Sequence, residues 1–198
     1  MAIKNRIVIL ASGRGSNFCA ISDAIKQNRI PQSQVIALIC NKANALVLEE
    51  ANRRQIPSFT LESNLFRSDN KFNRAAYELK LLELLQELNP DLILLAGYML
   101  ILGKEVVRAF PMRIINIHPS LLPKYRGLHA QQQALKSGDK ETGCTVHWVT
   151  EGLDEGEPIL QTKTPILAGD TEESLTQRLL SIEHETYVAA VKMILEKI

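Results

Sequence analysis

At 198 residues, with 45% hydrophobic and 23% charged residues and a formal net charge of +1, the chain is long enough for one well-cored domain and short for two. Acids and bases are interspersed with no basic block, which argues against a nucleic-acid or membrane-surface partner. Cys19, Cys40 and Cys144 are odd in number and widely spaced, so neither a disulfide framework nor a zinc knuckle is written here.

The opening "MAIKNRIVILASGRGSN" has too short an apolar run for a secretory leader, and the longest apolar run, Leu92 to Leu102, is about half of a membrane span. The expectation is a soluble, cytoplasmic protein in a reducing compartment, folded as a single domain over residues 1–198.

Short apolar runs alternate with longer amphipathic ones, the pattern of an α/β fold: a doubly wound, mostly parallel sheet covered by helices. Strands are expected at Arg6 to Ala11, Val35 to Cys40, Ser58 to Leu61, Leu92 to Ala96 and Arg113 to His118. Helices should start near Ser16, Asn44, Asp69 and Gly103. The third is marked by Phe72, Ala76, Leu79, Leu82 and Leu85 and stopped by Asn89 and Pro90. After Pro123 a short helix, Ala130 to Lys136, precedes "TGCTVHWVT" and "PILQTKTPI", an antiparallel pair joined by the acidic loop "EGLDEGE". A final helix starts at Thr171, with Asp170 as its N-cap and Glu173 as the reciprocal cap.

In "ILASGRGSN" a strand runs through Gly13 and Gly15 into a helix start, leaving backbone N–H groups at the positive end of the helix to meet a phosphate. A dinucleotide site would need a third glycine where Phe18 sits and an acid at the end of the second strand, and "LICNKAN" offers none. A triphosphate site would need a Lys-Ser/Thr pair. A single phosphate monoester, held by Gly15, Ser16 and Asn17, competes with a plain strand-to-helix turn.

The fifth strand ends in Asn116 and His118, two residues apart and therefore on one face, at the carboxyl edge where such sheets bind ligands. A lone histidine there is ordinarily capped by backbone; the neighbouring amide argues for a shared task. Most acids of "TEGLDEGE" read as solvated charge, but Asp154 sits in a glycine-flanked loop that could reach His118. An amide donor, an imidazole and a carboxylate suit acyl transfer to an amine, with the oxyanion stabilised by the first two and the proton taken by the third. No nucleophile elbow is present. His118, His129, His147 and His184 lack metal-ligand spacing, so no metal is expected; His147 reads as a strand-packing residue that could support Asp154 from behind, and His129 as exposed at a helix start.

The order "SGRGSN", "NKANALVLEEA", "LAGYMLIL", "NIHPSLLPKYRGLHA", "GCTVHWVTEGLDEGEPILQ" and "SIEHETY" resembles the formyltetrahydrofolate-dependent formyltransferase family, in particular its glycinamide ribonucleotide branch, over essentially the whole chain. The resemblance implies 10-formyltetrahydrofolate as formyl donor and 5-phosphoribosyl-glycinamide as acceptor. It implies catalysis by Asn116, His118 and Asp154, phosphate binding at Gly15, Ser16 and Asn17, and ribose hydroxyls held by Glu183. The folate pocket would draw on Met99, Leu100, Ile101, Leu102, Val149 and the loop from Val149 to Asp154. Residues 1–100 would form the phosphate-binding half and 101–198 the folate-binding and catalytic half. Leu100 stands where the family commonly has arginine, removing any ionic contact from that position.

Related formyltransferases that act on methionyl-tRNA should carry a C-terminal RNA-binding domain, and formyltetrahydrofolate hydrolases an N-terminal regulatory domain. This chain is expected to carry neither, with small molecules as its partners and a homodimer left open.

Overall fold

The computed structural model describes residues 4–68 and 71–197. Strand β1 (Asn5–Ala11) runs into helix α1 (Ser16–Lys26), β2 (Ser33–Cys40) into α2 (Leu46–Arg53), and β3 (Ser58–Thr60) into a 3-10 turn, Ser63–Phe66. A small hairpin, β4 (Arg67–Ser68) with β5 (Lys71–Phe72), leads to α3 (Arg74–Leu88), β6 (Leu92–Leu95), α4 (Lys104–Ala109) and β7 (Ile114–His118). Then follow α5 (Ala130–Ser137), β8 (Glu141–Trp148), β9 (Pro158–Pro165) and α6 (Glu172–Leu195). No helix among the described residues is long and apolar enough to cross a membrane.

The seven-stranded sheet has the order β3-β2-β1-β6-β7-β8-β9. Strands β3, β2, β1, β6 and β7 pair in parallel and β8 and β9 are antiparallel, as the alternation of runs implies. The chain winds outward from β1 to β3 and then returns to β6, so β1 and β6 flank the point where strand order reverses. Loops leave these two strands in opposite directions there and open a crevice at their carboxyl ends. Hydrogen bonds stitch its floor: Ser12 N donates to the Gly97 carbonyl (3.1 Å) and Met99 N to Ser12 Oγ (2.8 Å).

Both faces of the central strands are covered, which is why they read as unbroken apolar runs. On one face Ile7, Ile9, Ile115 and Ile117 join Phe18 of α1 and Tyr187, Val188 and Val191 of α6. On the other, Val8, Leu10, Ile93 and Ile114 join Tyr77, Leu81 and Leu85 of α3. The fully buried Tyr187 hydroxyl donates to the carbonyls of Leu95 (3.1 Å) and Ile115 (3.3 Å). This satisfies its polar tip while bracing the two strands that feed the crevice.

Two local expectations are corrected. The helix start expected near Asp69 lies outside the described residues; the described helix starts at Arg74 and is capped by Asn73, whose side chain accepts from Ala76 N. Its buried stripe is Tyr77, Leu81 and Leu85, while Leu79 is 56% exposed. Phe72, counted in the expected stripe, belongs to β5 and packs on Tyr77 as an aromatic neighbour. The last helix is capped by Thr171: Thr171 Oγ1 accepts from Ser174 N (3.2 Å) and Ser174 Oγ from Thr171 N (3.0 Å). Asp170 is drawn away by its ion pair with Arg178, which holds its carboxyl well below the usual range, and Glu173 is exposed.

Gly156 closes the β8–β9 connection so tightly that an added Cβ would lie 1.6 Å from the Trp148 carbonyl oxygen, whereas at Gly13 it would meet nothing within 4 Å. Gly156→Ala should therefore lower the free energy of unfolding by about 1–3 kcal/mol through overpacking against backbone, and Gly13→Ala should unfold nearly as the parent does. Urea titrations with equal midpoints for all three proteins would contradict this steric account.

Candidate active site

A cavity of about 760 Å³ opens at the strand-order reversal and extends across the end of β7 to the β8–β9 connection. Gly15, Ser16 and Asn17 line one end and Asn116, His118 and Asp154 the middle, while Met99, Leu100, Ile101, Leu102 and Val149 line it as well. All the residues singled out from the sequence thus border one space.

At the glycine end, Gly15 caps α1 with φ 82°, and an added Cβ would fall 2.5 Å from Val47 Cγ2. Glycine is therefore required by left-handed backbone and by packing against α2, not only by close approach of a ligand. The N-terminus of α1 carries no side-chain cap and no acid in its first turn, so its N–H groups and dipole are available to an anion. Arg14 is the one Lys or Arg among the residues lining the cavity, and no ion pair engages it among the described residues.

The Asn17 side chain is tied across the fold: Nδ2 donates to Glu183 Oε2 (3.2 Å), while its buried Oδ1 has no partner. Glu183 is only 7% exposed, and burial raises its pKa, with the Asn17 amide partly opposing that rise.

Strand β7 places Ile114, Asn116 and His118 on one face by its period of two, with Ile115 and Ile117 buried on the other. His118 is 5% exposed, and its two ring nitrogens face different oxygens. Nε2 meets the Tyr125 carbonyl at 2.8 Å, and Nδ1 meets Asp154 Oδ2 at 3.4 Å. A carbonyl only accepts, so Nε2 carries a proton. Asp154 adopts left-handed backbone (φ 52°), and its Oδ2 accepts from Gly127 N (2.8 Å). Its carboxylate thereby ties the β8–β9 loop to the segment after β7.

His147 has a larger part than its sequence context suggests. Antiparallel pairing sets it opposite Asn116. Its Nδ1 meets the Trp148 carbonyl at 2.9 Å, so that nitrogen carries the proton and Nε2 accepts from Asn116 Nδ2 at 3.3 Å. Burial pushes the His147 pKa down, keeping the ring neutral and able to accept. Asp154 Oδ1 is 3.7 Å from the same Nε2, beyond hydrogen-bond range. His147 therefore orients the Asn116 amide rather than supporting Asp154, and leaves the second amide N–H available to a ligand.

Along the segment after β6, Met99 (58% exposed) and Ile101 (54%) form a rim, while Leu102 is buried and Leu100 packs half-buried against the core cluster of α3 and α4. Leu100 thus supplies apolar wall where a charge would have had to be solvated. Arg74 escaped the sequence: its Nη2 donates to the Ile101 carbonyl (2.6 Å) and its Nε to Glu78 (2.6 Å), fastening this segment to α3. No local pattern announces a contact across 27 residues. His129 is exposed and borders the cavity at the start of α5.

A protein-family model described as formyl transferase matches residues 5–191. The chain is 46% identical over 181 residues to the phosphoribosylglycinamide formyltransferase of Escherichia coli (strain K12), covering 91% of this chain and 82% of that protein. It is 43% identical over 192 residues to the trifunctional purine biosynthetic protein adenosine-3 of Drosophila pseudoobscura pseudoobscura, covering 96% of this chain but only 14% of that much longer protein. The crystal structure of glycinamide ribonucleotide transformylase 1 from Symbiobacterium toebii resembles it with a TM-score of 0.92 at 43% identity, covering 100% of this chain and 90% of that one.

Because burial raises the Glu183 pKa, its contribution to stability is full below the unfolded carboxylate pKa and is lost as pH rises through the higher folded value. Glu183→Gln should accordingly raise the melting temperature at pH 8, with the gain shrinking toward pH 4. A variant that melts below the parent at pH 8 would show that the carboxylate is not penalised by its burial.

Proposed function

The chain belongs to the formyl transferase family, and from that premise we propose that it carries the formyl group of 10-formyltetrahydrofolate to the amine of 5-phosphoribosyl-glycinamide in purine biosynthesis. The observation that carries this is the meeting of Asn116, His118 and Asp154 in one cavity whose far end is an uncapped, glycine-led helix N-terminus. Residues 1–198 act as one unit. Its first half, 1–100, holds the phosphate, and its second, 101–198, holds folate and carries catalysis, with Glu183 reaching back to the ribose hydroxyls.

The residues fit both ligands. The phosphate of the acceptor meets N–H groups of Gly15, Ser16 and Asn17 and the Arg14 guanidinium, a dipole and a charge of the right sign. Leu100, Leu102 and Val149 supply apolar wall, and the backbone from Val149 to Asp154 supplies hydrogen bonds, for the flat pterin of the donor. The donor supplies the formyl group; the chain positions it and manages charge and protons.

As the acceptor nitrogen bonds to the formyl carbon, negative charge grows on the formyl oxygen. The Asn116 N–H, oriented by His147, stabilises it from a strand that cannot drift. When the ring is protonated, Nδ1 carries a second proton, and because its contact with Asp154 at 3.4 Å is longer than an ordinary hydrogen bond, that proton can reach the same oxygen. Asp154, directly or through water, takes the proton that the amine sheds and passes it to the donor nitrogen as the bond from the formyl carbon to that nitrogen breaks and the carbonyl re-forms. Attack is direct, with no enzyme-bound acyl group.

The first test supplies both substrates and follows formylated product against free formate. Product in stoichiometry with folate consumed is expected; formate alone would make the chain a hydrolase. Asp154→Asn should keep both ligands bound and slow single-turnover transfer by roughly two to four orders of magnitude. Adding His118→Ala should cost far less than the product of the two single losses, because the pair acts as a unit; rates that multiply cleanly would place the base elsewhere.

Arg14→Gln should weaken the phosphorylated acceptor by about ten- to a hundredfold, the worth of one charge-assisted hydrogen bond, and leave the dephosphorylated analogue unchanged. Equal loss for both would remove Arg14 from the phosphate.

A further inference from the structure

The segment between β7 and α5 wraps over His118 in an unfavourable backbone conformation. Tyr125 (φ 57°), Gly127 (φ 74°) and His129 (φ 59°) are all left-handed within five residues. For a tyrosine and a histidine such geometry costs on the order of 1 kcal/mol or more each and persists only where surrounding contacts impose it. Those contacts converge on Tyr125 and its neighbours. The Tyr125 phenol donates to Asp139 Oδ2 (2.5 Å) and lies 2.6 Å from Ser137 Oγ, while Lys124 Nζ pairs with the same Asp139 oxygen at 2.6 Å. Lys124 and the phenol together hold the Asp139 carboxyl below its usual range, so it stays ionised and keeps both partners. Beneath them Ser120 Oγ donates to the Lys124 carbonyl (2.5 Å), and Thr145 Oγ1 of β8 donates to the Ser120 carbonyl (2.6 Å).

What this network delivers is one atom, the Tyr125 carbonyl oxygen 2.8 Å from His118 Nε2. While that carbonyl is in place, the imidazole keeps a proton on Nε2 and turns Nδ1 toward Asp154. If it moved, Nε2 would lose its acceptor, and the ring could exchange tautomers or rotate, presenting the wrong nitrogen to the carboxylate.

We propose that Tyr125 and Asp139 are positioning residues for formyl transfer: their phenol–carboxylate contact latches the segment after β7 so that the Tyr125 carbonyl fixes which nitrogen of His118 faces Asp154. Neither residue is among those lining the cavity, so the effect is exerted through His118 and should leave ligand binding alone. This rests on the proposed role of His118 in catalysis.

The test pairs kinetics with ¹⁵N NMR of the histidine rings. In the parent protein, His118 Nε2 should show the shift of a protonated nitrogen with a slowly exchanging proton. Tyr125→Phe should average the two ring nitrogens and lower kcat by about ten- to a hundredfold, the scale of a small misplacement of a reacting group, with KM for both substrates within about twofold. Asp139→Ala should reproduce both effects, and Tyr125→Phe with Asp139→Ala should be no worse than either alone. If Tyr125→Phe does not fold, Asp139→Asn, which keeps an acceptor for the phenol but loses the Lys124 pairing, should show the same two changes in weaker form. An unchanged His118 spectrum in these variants, or a fall in kcat without a spectral change, overturns the latch. A His118→Ala variant with parental kcat would instead overturn the catalytic role of His118, while the spectra would still decide whether the latch sets its tautomer.

Discussion

The antiparallel ladder between β7 and β8 is the constraint on which the site depends. Its register sets His147 opposite Asn116 and Thr145 opposite His118. His147 thereby fixes the plane of the amide, and Thr145 Oγ1 anchors the segment that covers the imidazole, donating to Ser120 O and accepting from Leu122 N. The same strand then turns through the tight connection that presents Asp154. A slip of one residue would move all of these groups to the opposite face. The bulge between Val146 and His147 in the pairing with β9 falls beside this point, where ladders commonly re-aim a side chain.

Electrostatics in the cavity follow from how little permanent charge it contains. Among the described residues Arg14 is the only fixed cation in its lining, and the carboxylates there come from Asp154, Glu172 and Glu183. Glu183 is held in a setting that disfavours its charge and with a single amide donor beside it. Such a group gains from a ligand able to donate hydrogen bonds to it, as a pair of hydroxyls would. His147 is the complementary case: burial keeps it uncharged, so the hydrogen bond that orients Asn116 survives without a competing cation beside the imidazole of His118.

The remainder of the fold serves as a rigid mount. The central parallel strands are apolar on both faces, and α6 packs on β8 and β9 while its Tyr187 is hydrogen-bonded to β6 and β7 carbonyls. The two loops that border the cavity at the strand reversal are joined through Ser12 and Gly97. Arg74 clamps the far end of the segment after β6. Flexibility is therefore confined by hydrogen bonds at the places where a ligand would otherwise have to order loose chain, a cost that preorganisation avoids.

Sequence by itself determined the alternation of elements, the placement of five parallel strands and the antiparallel pair, and the candidacy of Asn116, His118 and the glycine-led start of α1, whereas Glu183 and the apolar residues of the cavity came only from the family resemblance. It could do so because these depend on short-range signals: apolar runs covered on both sides, a glycine-led helix start, and an amide and imidazole two apart on a strand. It misjudged the stripe of α3 and the cap of α6, because Leu79 and Asp170 satisfy the local pattern while Tyr77 is claimed by Phe66 and Phe72, and Asp170 by Arg178. Only the tertiary structure decided the proton positions on His118 and His147, the tie from Asn17 to Glu183, the clamp from Arg74 and the contact of Tyr125 with Asp139. Each is set by a partner brought alongside by strand register or helix docking, and a hydrogen bond that is formed only when two distant segments meet within about 3 Å leaves no periodicity in the chain.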